Sequence, residues 1–507
     1  MTKPRNQNLL IILSDALRPD HLGCYGSTRG NSPAVDALAA DGVVVENAFT
    51  VSPVTNVSIS TLFTGCLPMV HGVRRHTSVL ARGVPTLAEL LKSEGYQTGA
   101  VISCATMDRS RGLDRGFDFY DDAFGPESPK GIKGADPNER TIARHSGTAV
   151  DRALPWLQGL DPERPFFLFL HLFDTHSPYD PPREWRESHP TSYAGRVDGS
   201  EKEGLAIKIG EFVPGPEDVE QLNHLYGGEL WFTDRQVARL LESLRGLRRA
   251  EHLLTVFTAD HGVHLGERGL WGSGRRLYDR EIRVPLIIHG LGEAAGRRFA
   301  PLMLNTDVLP TVLETLGLEV PAAINGRSRL DGLRHPDPPD DTVVYAETFM
   351  PAAPGNCRLA VRNRRWKLIA PVHAAEAAAL EGGASFPEQW QRVKRLLYRL
   401  FRSRKGRREQ LKRALDVLLG GREKEAYRRV EEHDRQRLGD RPELYDVAND
   451  PEERNNLYHP GSHVARLMEN ELLFFSSRYI RGAAHREQLS PEQLREANVV
   501  LRQLGYQ

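Results

Sequence analysis

Short apolar runs separated by helix-like segments limit most strongly how this chain can fold. The runs cover residues 9–13, 97–103, 166–173, 253–258 and 284–289. A continuous apolar run without alternation is typical of a strand buried on both faces of a parallel sheet. Helix-like segments lie between them, at 32–40, 86–94, 147–159, 228–245 and 308–316. The succession predicts an α/β fold, a mainly parallel sheet flanked by helices.

The length of the chain predicts more than one structural unit. It has 507 residues, and an ordinary domain holds roughly 150. A stretch rich in Pro and Asp at 331–342 is typical of a linker, and β-like segments follow at 343–347 and 358–369. We predict a larger α/β domain over 1–335 and a smaller C-terminal α+β subdomain over 336–507. The subdomain would carry a small sheet and a basic helical insertion at about 374–440.

Charge is balanced over the whole chain but concentrated within that insertion. The totals are 67 Lys plus Arg and 67 Asp plus Glu, so the sequence is not that of a polybasic nucleic-acid binder. Residues 391–413 nevertheless hold eleven Lys or Arg and one Glu, a net charge of +10, with apolar residues on one helical stripe. Such a helix could pack on the body, contact a second copy of the chain, or bind anionic lipid. Binding of nucleic acid is not expected.

The amino terminus and the cysteines bear on the cellular compartment. The first apolar run is too short for a signal peptide, and the charged Asp15 follows it closely. The four cysteines are far apart and form no C-x-x-C pair, so disulfides are not expected. We therefore predict a cytoplasmic protein, with the basic helix as the element that could hold it at the inner membrane surface.

Carboxylate and imidazole side chains follow two of the predicted strands. Asp15 comes just after the run at 9–13, and Asp260 and His261 come just after the run at 253–258. Parallel strands deliver such residues to the same edge of the sheet, where ligands bind in open α/β folds. Oxygen and nitrogen donors of this kind suit a divalent metal. The alternative is that each Asp caps a helix or forms a turn.

Longer motifs in the same regions resemble one known family. They include LIILSDALRPDHLGCYG, SPVTNVSISTLFTG, FLFLHLFDTHSPYDPP, TADHGVHLGERGLWGSG and ELYDVANDPEERNNL. In this order they are similar to the motifs of the sulfatase family, part of the alkaline phosphatase superfamily. The resemblance covers most of the chain outside about 374–440. It implies an alkaline-phosphatase-like fold, with Asp15, Asp260 and His261 as metal ligands.

The nucleophile position departs from the usual sulfatase pattern. Sulfatases usually carry C-x-P-S-R or S-x-P-S-R ahead of a Thr-Gly pair, and their Cys or Ser is oxidised to formylglycine. In the same register this chain has Thr55 at the Cys or Ser, Val57 at the Pro and Ile59 at the Arg. A threonine cannot give that aldehyde. Superfamily transferases and phosphodiesterases resemble this chain in using Thr, which implies Thr55 as a metal-bound nucleophile. Thr55 could instead be the N-cap of a helix.

Four further residues are candidates for contact with substrate. His176 lies where the family places a histidine facing the leaving group, so it could bind substrate and act as general acid. The alternative is a turn histidine before Pro178. Ser273 lies where relatives often carry a Lys or His, and Arg275 and Arg276 are close enough in sequence to supply the missing cation.

These residues together predict an enzyme acting on an anionic ester. We expect a metal-dependent hydrolase or transferase of phosphate, phosphonate or sulfate esters with one divalent ion. Zinc or manganese suits the donor set best, while calcium and magnesium also fit it. Two alternatives stay open. One is a sulfuric ester hydrolase that works without formylglycine, and the other is a silent sulfatase-like protein that binds membranes or polyanions through the basic helix.

Overall fold

The structure is a computed structural model of the chain. It describes residues 7–123, 143–335, 342–349, 357–372 and 441–484, except positions 77, 248, 250 and 251. The basic segment at 391–413, and with it the predicted lipid or subunit contact, lies outside the described residues. Among those described, no helix is long and apolar enough to cross a membrane. Cys24 is half-buried, and Cys66, Cys104 and Cys357 are buried.

A large sheet forms the centre of the molecule. Within the described residues it has nine strands in the order β11-β2-β10-β6-β1-β5-β3-β4, with β9 paired to β2. Its strands are Asn8–Ser14 (β1), Gly42–Phe49 (β2), Gln97–Val101 (β3), Phe119–Asp121 (β4), Phe166–Leu172 (β5), Leu253–Thr258 (β6), Arg283–Val284 (β9), Leu286–His289 (β10) and Arg297–Leu304 (β11). A separate hairpin pairs His264–Leu265 (β7) with Trp271–Gly272 (β8).

The sheet is mainly parallel, as predicted. β1 lies parallel to both β5 and β6, β5 to β3, β3 to β4, and β11 to β2. β10 and the short β9 run in the opposite direction. All seven residues of β1 and of β5 are buried, because helices cover both faces and exclude water from these apolar strands. β1 therefore occupies the middle of the core, and its carboxyl end leads directly to Asp15.

Helices cover the sheet and join its strands. They are Pro33–Ala40 (α1), Thr55–Thr64 (α2), Pro68–His71 (α3), Leu87–Ser93 (α4), Ser146–Gln158 (α5), Arg183–Ser188 (α6), Glu201–Lys208 (α7), Pro216–Gly246 (α8), Asp279–Ile282 (α9), Val308–Thr315 (α10), Leu330–Arg334 (α11) and His463–Ala484 (α12). The helices predicted at 32–40, 86–94, 147–159, 228–245 and 308–316 are present, whereas the helical insertion predicted at about 374–440 lies outside the described residues. The segment predicted at 228–245 begins earlier, at Pro216, after Gly215 at the N-cap.

A second, antiparallel sheet follows the Pro-rich stretch. Its strands pair in sequence order and are Val344–Thr348 (β12), Arg358–Arg362 (β13), Trp366–Pro371 (β14) and Glu443–Asp446 (β15). One face of this sheet packs on α12, with Tyr345 in the core between them. The other face packs on the main body, with Tyr445 in that core. The fully buried Lys367 joins the two units, because its ammonium group lies 2.8 Å from Asp279 and 2.7 Å from Glu453. The described part of the predicted smaller subdomain is thus α+β.

Candidate active site

Two adjacent strands bring three metal-binding side chains to one point. β1 and β6 are parallel neighbours with Leu13 opposite Thr258, so the loops after them start at the same edge of the sheet. Asp15 lies in the first loop, and Asp260 and His261 lie in the second. One ligand atom from each lies within 4.8 Å of the other two, and all three residues are buried. The site is therefore assembled by strand pairing, because its members are far apart in sequence.

The chemistry of these three residues fits a divalent cation. Asp260 Oδ1 accepts hydrogen bonds from the backbone N–H groups of Ala16 and His261, at 3.0 and 2.8 Å. Asp260 Oδ2 and Asp15 Oδ1 are buried and accept no hydrogen bond from the described residues. A buried carboxylate oxygen without a donor is costly, and a metal ion would satisfy both oxygens. These residues could hold one ion.

The ring of His261 is oriented for the same role. Its Nδ1 lies 2.9 Å from the backbone oxygen of Gly262, and a carbonyl can only accept, so Nδ1 carries the proton. Nε2 then faces the two carboxylates, 3.3 Å from Asp260 Oδ2 and 3.9 Å from Asp15 Oδ1. In metal sites, a hydrogen bond from one ring nitrogen to a backbone carbonyl commonly orients the other ring nitrogen toward the metal.

Thr55 begins α2 directly beside this cluster. Its Oγ1 lies 3.5 Å from Asp15 Oδ2 and 3.3 Å from His261 Nε2, and the residue is almost completely buried. The N-cap of α2 is Val54, so the alternative in which Thr55 caps the helix does not hold. The first turn of a helix presents unpaired N–H groups and a partial positive charge, which favour an anion near Thr55.

His171 belongs to the site but was absent from the residues predicted from sequence. It lies on β5, opposite Leu13 of β1, and is fully buried. Its Nδ1 accepts a hydrogen bond from the Ser103 N–H at 3.3 Å, so the proton is on Nε2, which donates to Asp15 Oδ2 at 3.2 Å. A histidine inside the apolar run FLFLHLF was the available signal, since such a residue needs polar partners when buried.

Burial and mutual interaction shift the pKa values of all three candidate metal ligands. Burial raises the pKa of Asp15, but the hydrogen bond from His171 and the positive charges on His176 and His261 outweigh it, and the pKa falls to about 2. Burial and the neighbouring Asp15 raise the pKa of Asp260. Burial lowers the pKa of His261, but Asp260 and Asp15 more than compensate and raise it. Two buried carboxylates side by side attract a cation.

His176 lies in the loop after β5. It is half-buried, its ring stacks on Phe173 with 4.6 Å between ring centroids, and its Nδ1 lies 2.7 Å from the Ser177 backbone oxygen. That carbonyl places the Nδ1 proton, so Nε2 is the nitrogen without a proton in the neutral ring. The positive charge of His176 also lowers the pKa of Asp15.

Arg275 and Arg276 contact a different carboxylate, that of Glu281. Ser273 is half-buried after β8. The backbone N–H groups of Arg275 and Arg276 donate to Glu281 Oε2 at 3.3 and 3.2 Å, and Arg276 Nη1 lies 3.9 Å from Glu281 Oε1. Burial raises the pKa of Glu281 to about 7, although Arg276 opposes this. The guanidinium of Arg276 therefore has an internal partner, and the role predicted for both arginines at the substrate stays a prediction.

Comparison with known proteins identifies the family of this fold and site. The family model named Sulfatase matches residues 7–318. The chain belongs to the sulfatase family. A second model, for the C-terminal part of N-sulphoglucosamine sulphohydrolase, matches residues 266–394. The predicted enzyme class, a sulfuric or phosphoric ester hydrolase, is thereby confirmed.

Individual relatives of this sulfatase-family chain are distant. The uncharacterized sulfatase YidJ of Escherichia coli K12 is 25% identical over 358 residues, covering 64% of this chain and 71% of YidJ. The structure of BT4656 in complex with D-glucosamine-2-N,6-O-disulfate matches with a TM-score of 0.65, at 17% identity, over 95% of this chain and 99% of that one. A phosphonate monoester hydrolase of Agrobacterium radiobacter matches with a TM-score of 0.63, at 20% identity, over 94% and 96%. The predicted alkaline-phosphatase-like fold is confirmed.

Proposed function

We propose that this protein is a metal-dependent hydrolase of anionic esters in which Thr55 is the nucleophile, with phosphorus esters preferred over sulfate esters. One observation carries the proposal. The Thr55 hydroxyl is buried at the start of α2, 3.5 Å from Asp15 Oδ2 and 3.3 Å from His261 Nε2. Likeness to the phosphonate monoester hydrolase supports phosphorus as the reacting centre. A threonine, which cannot become formylglycine, supports it further.

Asp15, Asp260 and His261 would hold a divalent cation, with Thr55 as a fourth ligand. When bound, the ion would supply Lewis-acid chemistry, making the hydroxyl more acidic and stabilising negative charge on the transferred group. Oxygen ligands with one imidazole suit zinc or manganese best. Calcium and magnesium are tested beside them because the carboxylates would also accept these ions.

In the first half-reaction, Thr55 displaces the leaving group. Its Oγ1 attacks phosphorus, the bond from phosphorus to the leaving oxygen breaks, and phospho-Thr55 forms. A hydroxyl oxygen becomes strongly acidic as it bonds to phosphorus, so Asp15 Oδ2 can accept its proton although the pKa of Asp15 is about 2. His176 in its protonated form gives its Nε2 proton to the leaving oxygen.

Water completes the cycle by the reverse proton transfers. Neutral His176 accepts a proton from the attacking water as the new bond from oxygen to phosphorus forms. The bond from phosphorus to Thr55 Oγ1 breaks, and Oγ1 recovers its proton from Asp15 Oδ2. An acceptor alcohol in place of water would make the same site a transferase, and the ratio of ester to phosphate among the products measures which one reacts.

The test replaces the nucleophile while leaving its surroundings intact. Thr55→Ala should abolish turnover of aryl phosphates and phosphonates and leave the urea unfolding curve nearly unchanged. Thr55→Ser should keep measurable turnover, because it keeps the attacking oxygen. Mass spectrometry of protein quenched during turnover should find phosphate on Thr55. Undiminished activity of Thr55→Ala would refute the assignment of the nucleophile.

The choice between phosphorus and sulfur is tested with a substrate panel. Aryl sulfate, phosphate monoester, phosphate diester and phosphonate are assayed with zinc, manganese, calcium and magnesium in turn. Activity confined to aryl sulfate would replace the proposal with a sulfuric ester hydrolase that works without formylglycine. A protein that binds none of the four ions and turns over none of the esters would instead be a silent member of the family.

A further inference from the structure

The active site lacks the cations at the two positions where the family resemblance leads one to expect them. Ile59 occupies the position of the usual arginine, and Ser273 occupies a position where relatives often carry a Lys or His. Arg276 already faces the buried Glu281. An anionic ester nevertheless needs positive charge beyond a single ion, because the two ligand carboxylates already neutralise a divalent cation.

A loop bearing a histidine is held against the start of α2. Asn56, which directly follows Thr55, donates from Nδ2 to the backbone oxygens of Arg75 and His76, at 2.9 and 3.3 Å. Asn56 itself is fully buried, so its amide is a fixed anchor for the loop. His76 is exposed to solvent. The anchor therefore holds the backbone of the His76 loop against Asn56, the residue that follows the nucleophile.

A half-buried arginine joins the same region. Arg111 ends a short helical turn at 109–111, and its backbone oxygen accepts a hydrogen bond from the Leu80 N–H at 2.9 Å. This bond ties the turn to the loop that carries His76. Arg111 is half-buried, its Nε is fully buried with no hydrogen-bond partner, and within the described residues no carboxylate pairs with its guanidinium. A buried guanidinium nitrogen without a hydrogen-bond partner is costly, and an anion bound by the guanidinium would satisfy it.

His76 interacts electrostatically with groups of the candidate site and with Arg111. Desolvation by the surrounding protein lowers the pKa of His76 although the residue is exposed, and the positive charges of His261 and Arg111 lower it further. The carboxylate of Asp15 opposes this effect. The charges that act on His76 therefore include two candidate metal ligands, Asp15 and His261, together with Arg111.

We propose that His76 and Arg111 form an anion subsite beside Thr55, which binds the charged oxygens of the ester. The inference rests on the proposed function and names its substrate class. Arg111 supplies a permanent charge in a fork that suits phosphate oxygens, and neutral His76 supplies a hydrogen bond between it and the nucleophile. The subsite selects doubly charged ester groups, those of phosphate monoesters, over singly charged diesters and sulfates.

The experiment compares ester groups of different charge on the metal-loaded, full-length protein. Values of kcat and KM are measured for p-nitrophenyl phosphate, methyl p-nitrophenyl phosphate and p-nitrophenyl sulfate. Arg111→Gln should lower kcat/KM for the monoester by about 10- to 100-fold, mainly through KM, and by much less for the singly charged esters. Arg111→Lys should recover part of the loss, because it keeps the charge without the fork. His76→Gln should lower the monoester value by about 5-fold.

A matched control lies on the same helical turn. Arg109 is exposed and pairs with Asp122, so Arg109→Gln should keep the kinetics of the parent protein. Equal losses for all three esters in Arg111→Gln, or values within twofold of the parent for each of them, would overturn the subsite. If Arg111→Gln does not fold, the surface variant His76→Gln decides, and a monoester value within twofold of the parent overturns the subsite.

Failure of the subsite is distinguishable from failure of the proposed function. If Thr55→Ala is inactive while the Arg111 and His76 variants match the parent, the nucleophile stands and the subsite falls. If the parent turns over none of the esters, calorimetry with inorganic phosphate replaces kinetics. A dissociation constant at least tenfold weaker in Arg111→Gln supports the subsite, whereas equal binding, or no binding to the parent, overturns it.

Discussion

Replacement of His171 by Phe tests whether this buried histidine positions the metal ligand Asp15. Phe keeps the aromatic shape but removes two polar contacts. Asp15 Oδ2 loses the Nε2–H donor at 3.2 Å, and the Ser103 N–H loses its Nδ1 acceptor at 3.3 Å. A hydrogen bond to a charged group contributes about 1.5–3 kcal/mol, and an orphaned buried N–H costs about 1–3 kcal/mol. The free energy of unfolding should therefore fall by about 4 kcal/mol.

The more discriminating effect is on metal affinity. Without the His171 donor, Asp15 is less well oriented and its pKa rises, so a proton competes better with the cation. Loss of such an outer partner typically weakens metal binding by about 10- to 100-fold. Unfolding is followed in urea by tryptophan fluorescence, and zinc or manganese affinity is measured by competition with a fluorescent chelator.

A control on the same strand separates positioning from general loss of stability. Leu170 is fully buried on β5. Leu170→Ala should lower the free energy of unfolding by about 2–5 kcal/mol by leaving a cavity, yet keep the metal affinity of the parent. If His171→Phe binds metal within twofold of the parent, or loses less than about 1 kcal/mol of stability, then His171 does not position Asp15.

Three further predictions concern buried charges, and urea unfolding measures each. Asp260→Asn should make the metal-free protein more stable at pH 8, because the pKa of Asp260 is raised and ionisation of its carboxyl therefore costs stability. The variant should also abolish stabilisation by added metal. No gain in stability at pH 8 would contradict this prediction. The pKa of Asp15 is lowered from 3.8 to about 2, so its contribution of about 2 kcal/mol to stability is present above pH 3.8 and lost as the pH falls toward 2. Asp15→Asn should therefore flatten this part of the plot of stability against pH. An unchanged slope would count against the prediction. Lys367→Met should lower the free energy of unfolding by about 3–5 kcal/mol, because it leaves the buried carboxylates of Asp279 and Glu453 without their cation. Adding Glu453→Gln should recover part of this loss. Additive losses from the two changes would contradict the prediction.

Strands in the middle of the sheet were predictable, whereas strands near its margin were not. β1, β5 and β6 are apolar along their whole length because both faces are covered, and this pattern is visible without the fold. β2 and β11 were not predicted. β2 contains Glu46, which pairs with Arg298 of β11 at 2.6 Å, so polar residues interrupt both runs. Such a pair is satisfied only once the two strands meet.

The early start of α8 shows the same limit for a helix. The prediction began at Gly228, but the helix begins at Pro216 and passes through Gly227 and Gly228. A Cβ on Gly227 would lie 2.5 Å from Asn31 Nδ2, and one on Gly228 would lie 2.4 Å from Trp185 Cδ1. These glycines therefore serve close packing of the helix and do not break it. The low helix propensity of glycine predicts a break in the helix at this point, because propensity takes no account of the neighbouring side chains.

The sequence by itself determined the α/β fold class. It also determined that Asp15, Asp260 and His261 lie at the same edge of the sheet, because they follow buried parallel strands and such strands end together. Only the tertiary structure decided which other side chains face them. His171 reaches Asp15 through the register of β5 against β1, and Arg111 is tied to the His76 loop by a backbone hydrogen bond. Contacts of this kind join residues distant in sequence, so they depend on packing, which local patterns do not encode.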